Sequence, residues 1–374
     1  MANIMDYLLW RGDLDFTCSE FNEVDNLILS ELVYVDFAGI VPEPGGGDIT
    51  LKEASGIFFD RHTDEEIQAR VSSTKMAAFL MRDMAETRRF SDIRLSAYIN
   101  DINLDEQSQF CAMTVQLGDG RTNVVFSGTD STIVGWKEDF NMIFLDHTPG
   151  QQKAIFYLED IAARTNDILR IMGHSKGGNL AVYAATHCGE TILERIEIIY
   201  SNDGPGFTDS MIQMDHYQKL LPRIHTIIPE SSIVGMLFEH EEEFEVVAST
   251  GSGAGQHDVM SWEVLGAKLI HLNKVDEKAL LLDQSLKSWI AGMDTEQRSA
   301  FVDILFGILN DADIHTVDDL ASMNPAKFME VLKLHSLLDK EDQEMLKESL
   351  LSFFQQSGNA LYEILIKNRT SRKC

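Results

Sequence analysis

The chain has 374 residues, of which 60 are acidic and 31 basic, for a formal charge of −29, and 44% are hydrophobic. Such a negative surface repels phosphate backbones and anionic lipid, which sets aside nucleic-acid binding and polybasic membrane contact. The hydrophobic share is enough for a substantial core and excludes wholesale disorder, and the length suggests one large domain with an appendage, or two domains.

The start of the chain, MANIMDYLLWRGDLDF, has acids early and no basic leader, so it does not read as a signal peptide. No apolar run approaches the roughly 20 residues that span a bilayer. Cys18, Cys111, Cys188 and Cys374 show neither CxxC pairing nor metal-type spacing and read as thiols in a reducing compartment. The expectation is a cytoplasmic protein; the oligomeric state is not encoded in any of these features.

In chain order, residues 1–60 hold apolar segments such as LILSELVYVDFAGIV, followed by a loop with Pro42, Pro44 and Gly45-Gly46-Gly47. Residues 64–90 have helical spacing. IRLSAYIND, CAMTVQLGDG and TNVVFSGTD predict strands, the last two joined through Gly118-Asp119-Gly120 as a hairpin. Then come a helix over 150–166, a strand in DILRIMG, a helix over 176–188, a strand in RIEIIYS, a helix over 208–220 and a strand in RIHTIIP. This alternation predicts a mainly parallel sheet with helices on both faces. The acidic stretch FEHEEEFEVV, 238–247, reads as a solvated loop or strand edge. After about residue 275 the pattern is helical. Asp294 and Gln297 form a capping-box pair, Phe301, Ile304, Leu305 and Ile308 share a face, Asn324-Pro325 starts a helix, and 340–367 is helical again. The division expected is 1–275 and 276–374.

One stretch carries chemistry. RIMGHSKGGNLAVYAA, 170–185, places Ser175 between Gly173 and Gly177 where a strand meets a helix. This is the nucleophile-elbow pattern G-x-S-x-G. The tight turn leaves no room for flanking side chains, lifts the hydroxyl out of the sheet, and aims the next helix's N-terminus at it.

This segment, with VVFSGTDSTIVGWKEDF (124–140) and GQHDVMSW (255–262), resembles the α/β-hydrolase superfamily, and within it the class 3, fungal-type lipases. WRGDL and FNEVDNLILSEL near the N-terminus are similar to segments of an intracellular bacterial branch of that family. The resemblance implies an α/β-hydrolase fold, plus the helical C-terminal region outside it. It implies a serine hydrolase cleaving an ester or similar acyl bond of a small molecule, with no cofactor and no metal. Ser175 matches the nucleophile and His257 the base. The Lys176 N–H and the Thr129 position match the oxyanion donors, and Trp136 and Asp139 a structural support. By position His174, His225 and His240 are weaker bases, with His174 expected to point away from the site.

The third member departs from the family. Its aspartate follows the strand before the histidine, and here that position falls on Ser232, which can hydrogen-bond an imidazole but not offset its charge. Two carboxylates remain: Asp203 in YSNDGPGF, favoured because Gly-Pro-Gly holds it in a rigid turn, and Glu230, with the longer reach. The rival reading is a non-catalytic binding protein on the same fold with a degenerate triad.

Overall fold

The computed structural model describes residues 1–69, 74–103, 108–129, 137–139, 141–142, 147–292, 295–312 and 340. Asp130, Trp136, the expected cap at Asp294 and the helices expected at Asn324 and over 340–367 lie outside the described residues, apart from residue 340.

Eight strands form one sheet whose spatial order is the chain order: β1 (Asp48–Thr50), β2 (Arg94–Asn103), β3 (Ser108–Gln116), β4 (Arg121–Phe126), β5 (Ile168–His174), β6 (Ile196–Asn202), β7 (Ile224–Pro229) and β8 (Phe244–Val247). The pairings β1–β2, β2–β3 and β3–β4 are antiparallel, and those from β4 to β8 are parallel. The β3–β4 connection is the expected hairpin, with Gly118 and Gly120 at φ +82° and +76°, a region closed to most side chains.

Side chains alternate between two layers, as a sheet buried on both faces requires. Val125, Met172, Tyr200 and Ile227 face α1 (Ile4–Arg11), α2 (Glu23–Leu32), α3 (Leu51–Arg61) and α5 (Met76–Ala85), which follows the short α4 (Asp64–Ala69). Phe126, Ile171 and Ile199 face the helices Pro149–Arg164 and Lys176–His187. The parallel strands, the crossover helices and the elbow at the end of β5 make this an α/β-hydrolase fold.

Two expectations change in detail. The helix expected over 208–220 is two short ones, Asp209–Ile212 and Asp215–Leu220, because Met214 between them is extended at ψ 140°. The stretch 238–247 is not simply solvated. It ends in β8, the sheet's edge, and the Glu242 side chain is 3% exposed. Burial opposes charge on Glu242, but bonds from His240 (2.9 Å), Thr226 (2.5 Å) and Tyr217 (2.6 Å) outweigh it and hold its carboxyl at about 2. Further on, the chain forms the helices Glu277–Ala291 and Thr295–Asp311, and Ala279 of the first packs with Ile228 and Val246 of β7 and β8.

A fully buried ion pair anchors α2. Arg89 meets Asp25 at 2.8 and 2.5 Å and donates its remaining protons to the carbonyls of Leu14, Ser19 and Glu20, and Tyr7 adds a bond to Asp25. With every donor satisfied the pair is tolerated; with one partner removed, the other is a lone buried charge. Arg89→Leu is therefore expected to cost about 3–5 kcal/mol in urea unfolding. A loss below about 1 kcal/mol, the range of an exposed pair, would refute that account.

Candidate active site

The site starts from the turn at Ser175. This residue sits at φ 58°, ψ −131°, a conformation costing on the order of 1–3 kcal/mol for a side chain larger than glycine. The surroundings impose it. A Cβ on Gly177 would lie 2.2 Å from the Phe126 carbonyl oxygen, and one on Gly173 2.3 Å from the Gly177 carbonyl. The Ser175 N–H donates to the Asn202 carbonyl at 2.9 Å, tying the turn to the end of β6.

From the turn runs a chain of three side chains. His257 Nε2 lies 2.9 Å from Ser175 Oγ, and His257 Nδ1 lies 2.6 Å from Asp203 Oδ2. Asp203 follows β6 and is also at positive φ, 49°. Its side chain is 1% exposed, whereas that of His257 is 30% exposed. The second carboxylate oxygen, Oδ1, accepts from Ser232 Oγ at 2.5 Å and from the Gly235 N–H at 3.1 Å. A Cβ on Gly235 would stand 2.3 Å from that oxygen, so a glycine is required there. An imidazole with a carboxylate on Nδ1 has its proton fixed on that nitrogen and leaves Nε2 free to accept from the serine.

Several supports were not anticipated. Ser232 was expected, if anything, to hold the imidazole; instead it holds the acid. Glu230 is half-buried at the end of β7, its backbone bonded to Val247 and Asp276, and the carboxylate His257 meets is that of Asp203. His174 does not meet the serine, yet it serves the site. Its Nε2 lies 2.8 Å from the His257 carbonyl oxygen and its ring 4.6 Å from the His257 ring. A carbonyl only accepts, so Nε2 carries the proton and Nδ1 accepts from Tyr34 Oη at 3.0 Å. Burial, and then His257, push the His174 pKa well below its usual value, consistent with this neutral form. The His257 loop is further held by Trp262, fully buried, whose Nε1 donates to the Gln256 carbonyl at 2.8 Å. Glycine, asparagine and histidine near an elbow are signals too common to have been assigned these roles from sequence.

The expected oxyanion donors flank Ser175. The Lys176 N–H is the first of its helix, so it has no partner within it. Thr129 follows Gly128, where a Cβ would collide with Tyr34 Oη and the His174 carbonyl oxygen. The Thr129 hydroxyl lies 2.7 and 2.8 Å from the two oxygens of Asp139. Burial pushes the Asp139 carboxyl up to about 6, opposed by the Lys176 charge and the Thr129 bond.

His225 pairs with Glu245 at 2.5 Å and His240 with Glu242, so neither joins the Ser175 chain. Among the described residues, Glu23, Glu245 and His271 have ligand atoms within 4.8 Å of one another, a grouping that could hold a metal ion and that shares no residue with the Ser175 chain.

This fold and site define a lipase-like α/β-hydrolase. The chain belongs to the Mbeg1-like family, whose model matches residues 84–307. Among solved structures it is similar to the Rhizomucor miehei lipase in its native propeptide complex, at 14% identity and TM-score 0.34, over 47% of this chain and 70% of that one. It is also similar to M37 lipase, at 15% identity and TM-score 0.32, over 46% of this chain and 65% of that one. No curated protein matches it in sequence.

Asp139 supplies a pH signature. Its folded value, about 6, lies above its ordinary 3.8, so the fold favours the protonated acid. The resulting stability is fully present below the unfolded value and lost as pH rises through about 6. Asp139→Asn, neutral throughout, escapes that loss. Urea melts should show its stability relative to wild type improving from about pH 5 to about pH 8; a pH-independent difference would mean that Asp139 ionises as a solvated carboxylate.

Proposed function

We propose that the protein is a serine hydrolase that cleaves an ester or similar acyl bond of a small molecule through an acyl-enzyme at Ser175. The observation that carries this reading is the continuous hydrogen-bonded chain from Ser175 Oγ through His257 to Asp203. Ser175 Oγ attacks the acyl carbon while His257 Nε2 takes its proton, and the carbonyl π pair moves onto oxygen. The oxyanion lies against the N–H groups of Lys176 and Thr129. Its collapse expels the leaving group, which takes the proton from His257. Water then attacks the acyl-serine by the same sequence, releasing the acid and restoring the serine. Asp203 holds the imidazole tautomer and offsets the imidazolium charge.

The net charge of −29 favours neutral or cationic substrates. The rival reading, a binding protein with a degenerate triad, drew on Ser232 at the family's acid position. A carboxylate 2.6 Å from His257 Nδ1 weighs against it. The reading keeps the chemistry within residues 1–275 and places the protein in the cytoplasm, within an intracellular bacterial branch of the lipase-like proteins. Cys18, Cys111 and Cys188 are thiols rather than half-cystines, which fits a reducing compartment. Among the described residues no helix is long and apolar enough to cross a membrane.

A fluorophosphonate probe should label the wild type at Ser175 and leave Ser175→Ala untouched. Labelling that is absent, or that survives the substitution, would overturn the enzyme reading. For the acid, Asp203→Asn should lower turnover of a p-nitrophenyl ester by about 10⁴, the cost of the corresponding change in serine proteases, while Glu230→Gln changes little. The reverse ranking would transfer the role to Glu230.

A further inference from the structure

The residue after the nucleophile has a side chain that the proposed mechanism leaves idle. We propose that the buried Lys176–Glu138 ion pair is a positioning device, which fixes the Lys176 N–H and the Thr129 corner with respect to each other so that both oxyanion donors stand ready before substrate arrives. The proposal rests on the serine-hydrolase reading above.

Both side chains are 1% exposed. Each proton of the Lys176 ammonium has one acceptor: the Gln109 carbonyl at 2.8 Å, Gln109 Oε1 at 2.8 Å and Glu138 Oε2 at 3.0 Å. Glu138 Oε2 also accepts the Gln109 N–H at 3.0 Å, and Oε1 accepts the Gly150 N–H at 2.7 Å. Gly150 belongs to the first turn of the helix Pro149–Arg164, where backbone N–H groups lack helical partners and the dipole favours an anion. A Cβ there would lie 2.6 Å from Glu138 Oε1.

The next residue after Glu138 is Asp139, which receives the Thr129 hydroxyl. The short helical stretch 137–139 thus grips both halves of the oxyanion site: Glu138 holds the side chain of Lys176, and Asp139 holds Thr129. Stability alone does not account for the charges. Burying each ion costs several kcal/mol, and an apolar pair of the same volume is often as stable or more so. What three fixed acceptors add is direction: they set Nζ and, through the side chain, the first residue of the helix whose N–H faces the oxyanion. A displacement of about 1 Å in such a group can cost about 10²-fold in rate.

The test removes both charges together, in Lys176→Met/Glu138→Gln, so that no lone ion is left buried. Hydrolysis of p-nitrophenyl acetate is measured per serine titrated by the fluorophosphonate, which corrects for any unfolded fraction. The expected result is a fall in kcat of about 10- to 100-fold with KM nearly unchanged, the sign of an interaction made in the transition state. A wild-type kcat, or a loss confined to KM, would overturn the proposal. If the double variant folds too poorly to titrate, Glu138→Gln alone, matched in shape, decides by the same two outcomes. Failure of the hydrolase reading is seen separately: wild-type Ser175 would not react with the probe, and the proposal would fall with it.

Discussion

The structure around the site depends on one close approach, that of the Gly177 backbone to the carbonyl of Phe126. It brings the start of the helix after Ser175 down onto the end of β4, and the turn that makes this connection holds Ser175 at positive φ. The strain is stored locally and is offset by what surrounds it: the Ser175 N–H bonded to Asn202, and Asn202 bonded in turn to the Gly173 carbonyl. The same approach forces glycine at Gly128, since the β4 exit must pass beside His174 and Tyr34. Ser175, the helix N-terminus and the Thr129 corner therefore share one steric origin.

The carboxylate at His257 comes from a different segment than the resemblance implies. The strand-end turn at Asp203 lies beside the loop carrying Ser232, so a carboxylate from either segment reaches the same space. With Asp203 as donor of the charge, the opposing position needs only a hydroxyl, and Ser232 provides one to the oxygen that His257 does not use. Two hydrogen bonds from Ser232 and Gly235 then fix the carboxylate so that its other oxygen faces the imidazole. The swap conserves one negative charge and one hydrogen-bonding partner while exchanging which segment supplies each.

What was legible in the sequence follows from which signals are local. The elbow was readable because its glycines, serine, strand and helix are contiguous, and the alternation of apolar runs gave the parallel sheet. Asp203 and Glu230 could be proposed as alternatives but not ranked firmly, because the answer lies in how β6 and β7 register across the sheet, with Asn202 opposite Ile227. The burial of Glu242 was not legible for a related reason. A run of glutamates looks solvated until Tyr217, Thr226 and His240 are brought around one of them by the edge strand. The single helix expected over 208–220 failed on local geometry: apolar spacing continues through Met214 while its backbone does not.

The support for the site also reaches back beyond the part of the chain that matches the family model, which begins at residue 84. In α2, Asn26 and Ser30 bond the Asn202 side chain, and Tyr34 just beyond that helix bonds His174, which in turn holds the His257 backbone. α2 is itself fixed by the Asp25–Arg89 pair, one partner on each side of that boundary. Asn3 adds a bond from its side chain to the Met260 carbonyl, in the segment after His257. The N-terminal helices are thus continuous with the site by polar contacts as well as by the shared core. A chain starting at residue 84 would keep Ser175, His257 and Asp203 but would leave Asn202 and the His174 ring without the partners that aim them. The alignment of Ser175, His257 and Asp203 thus depends on the layer that packs beneath them as well as on the segments that carry them.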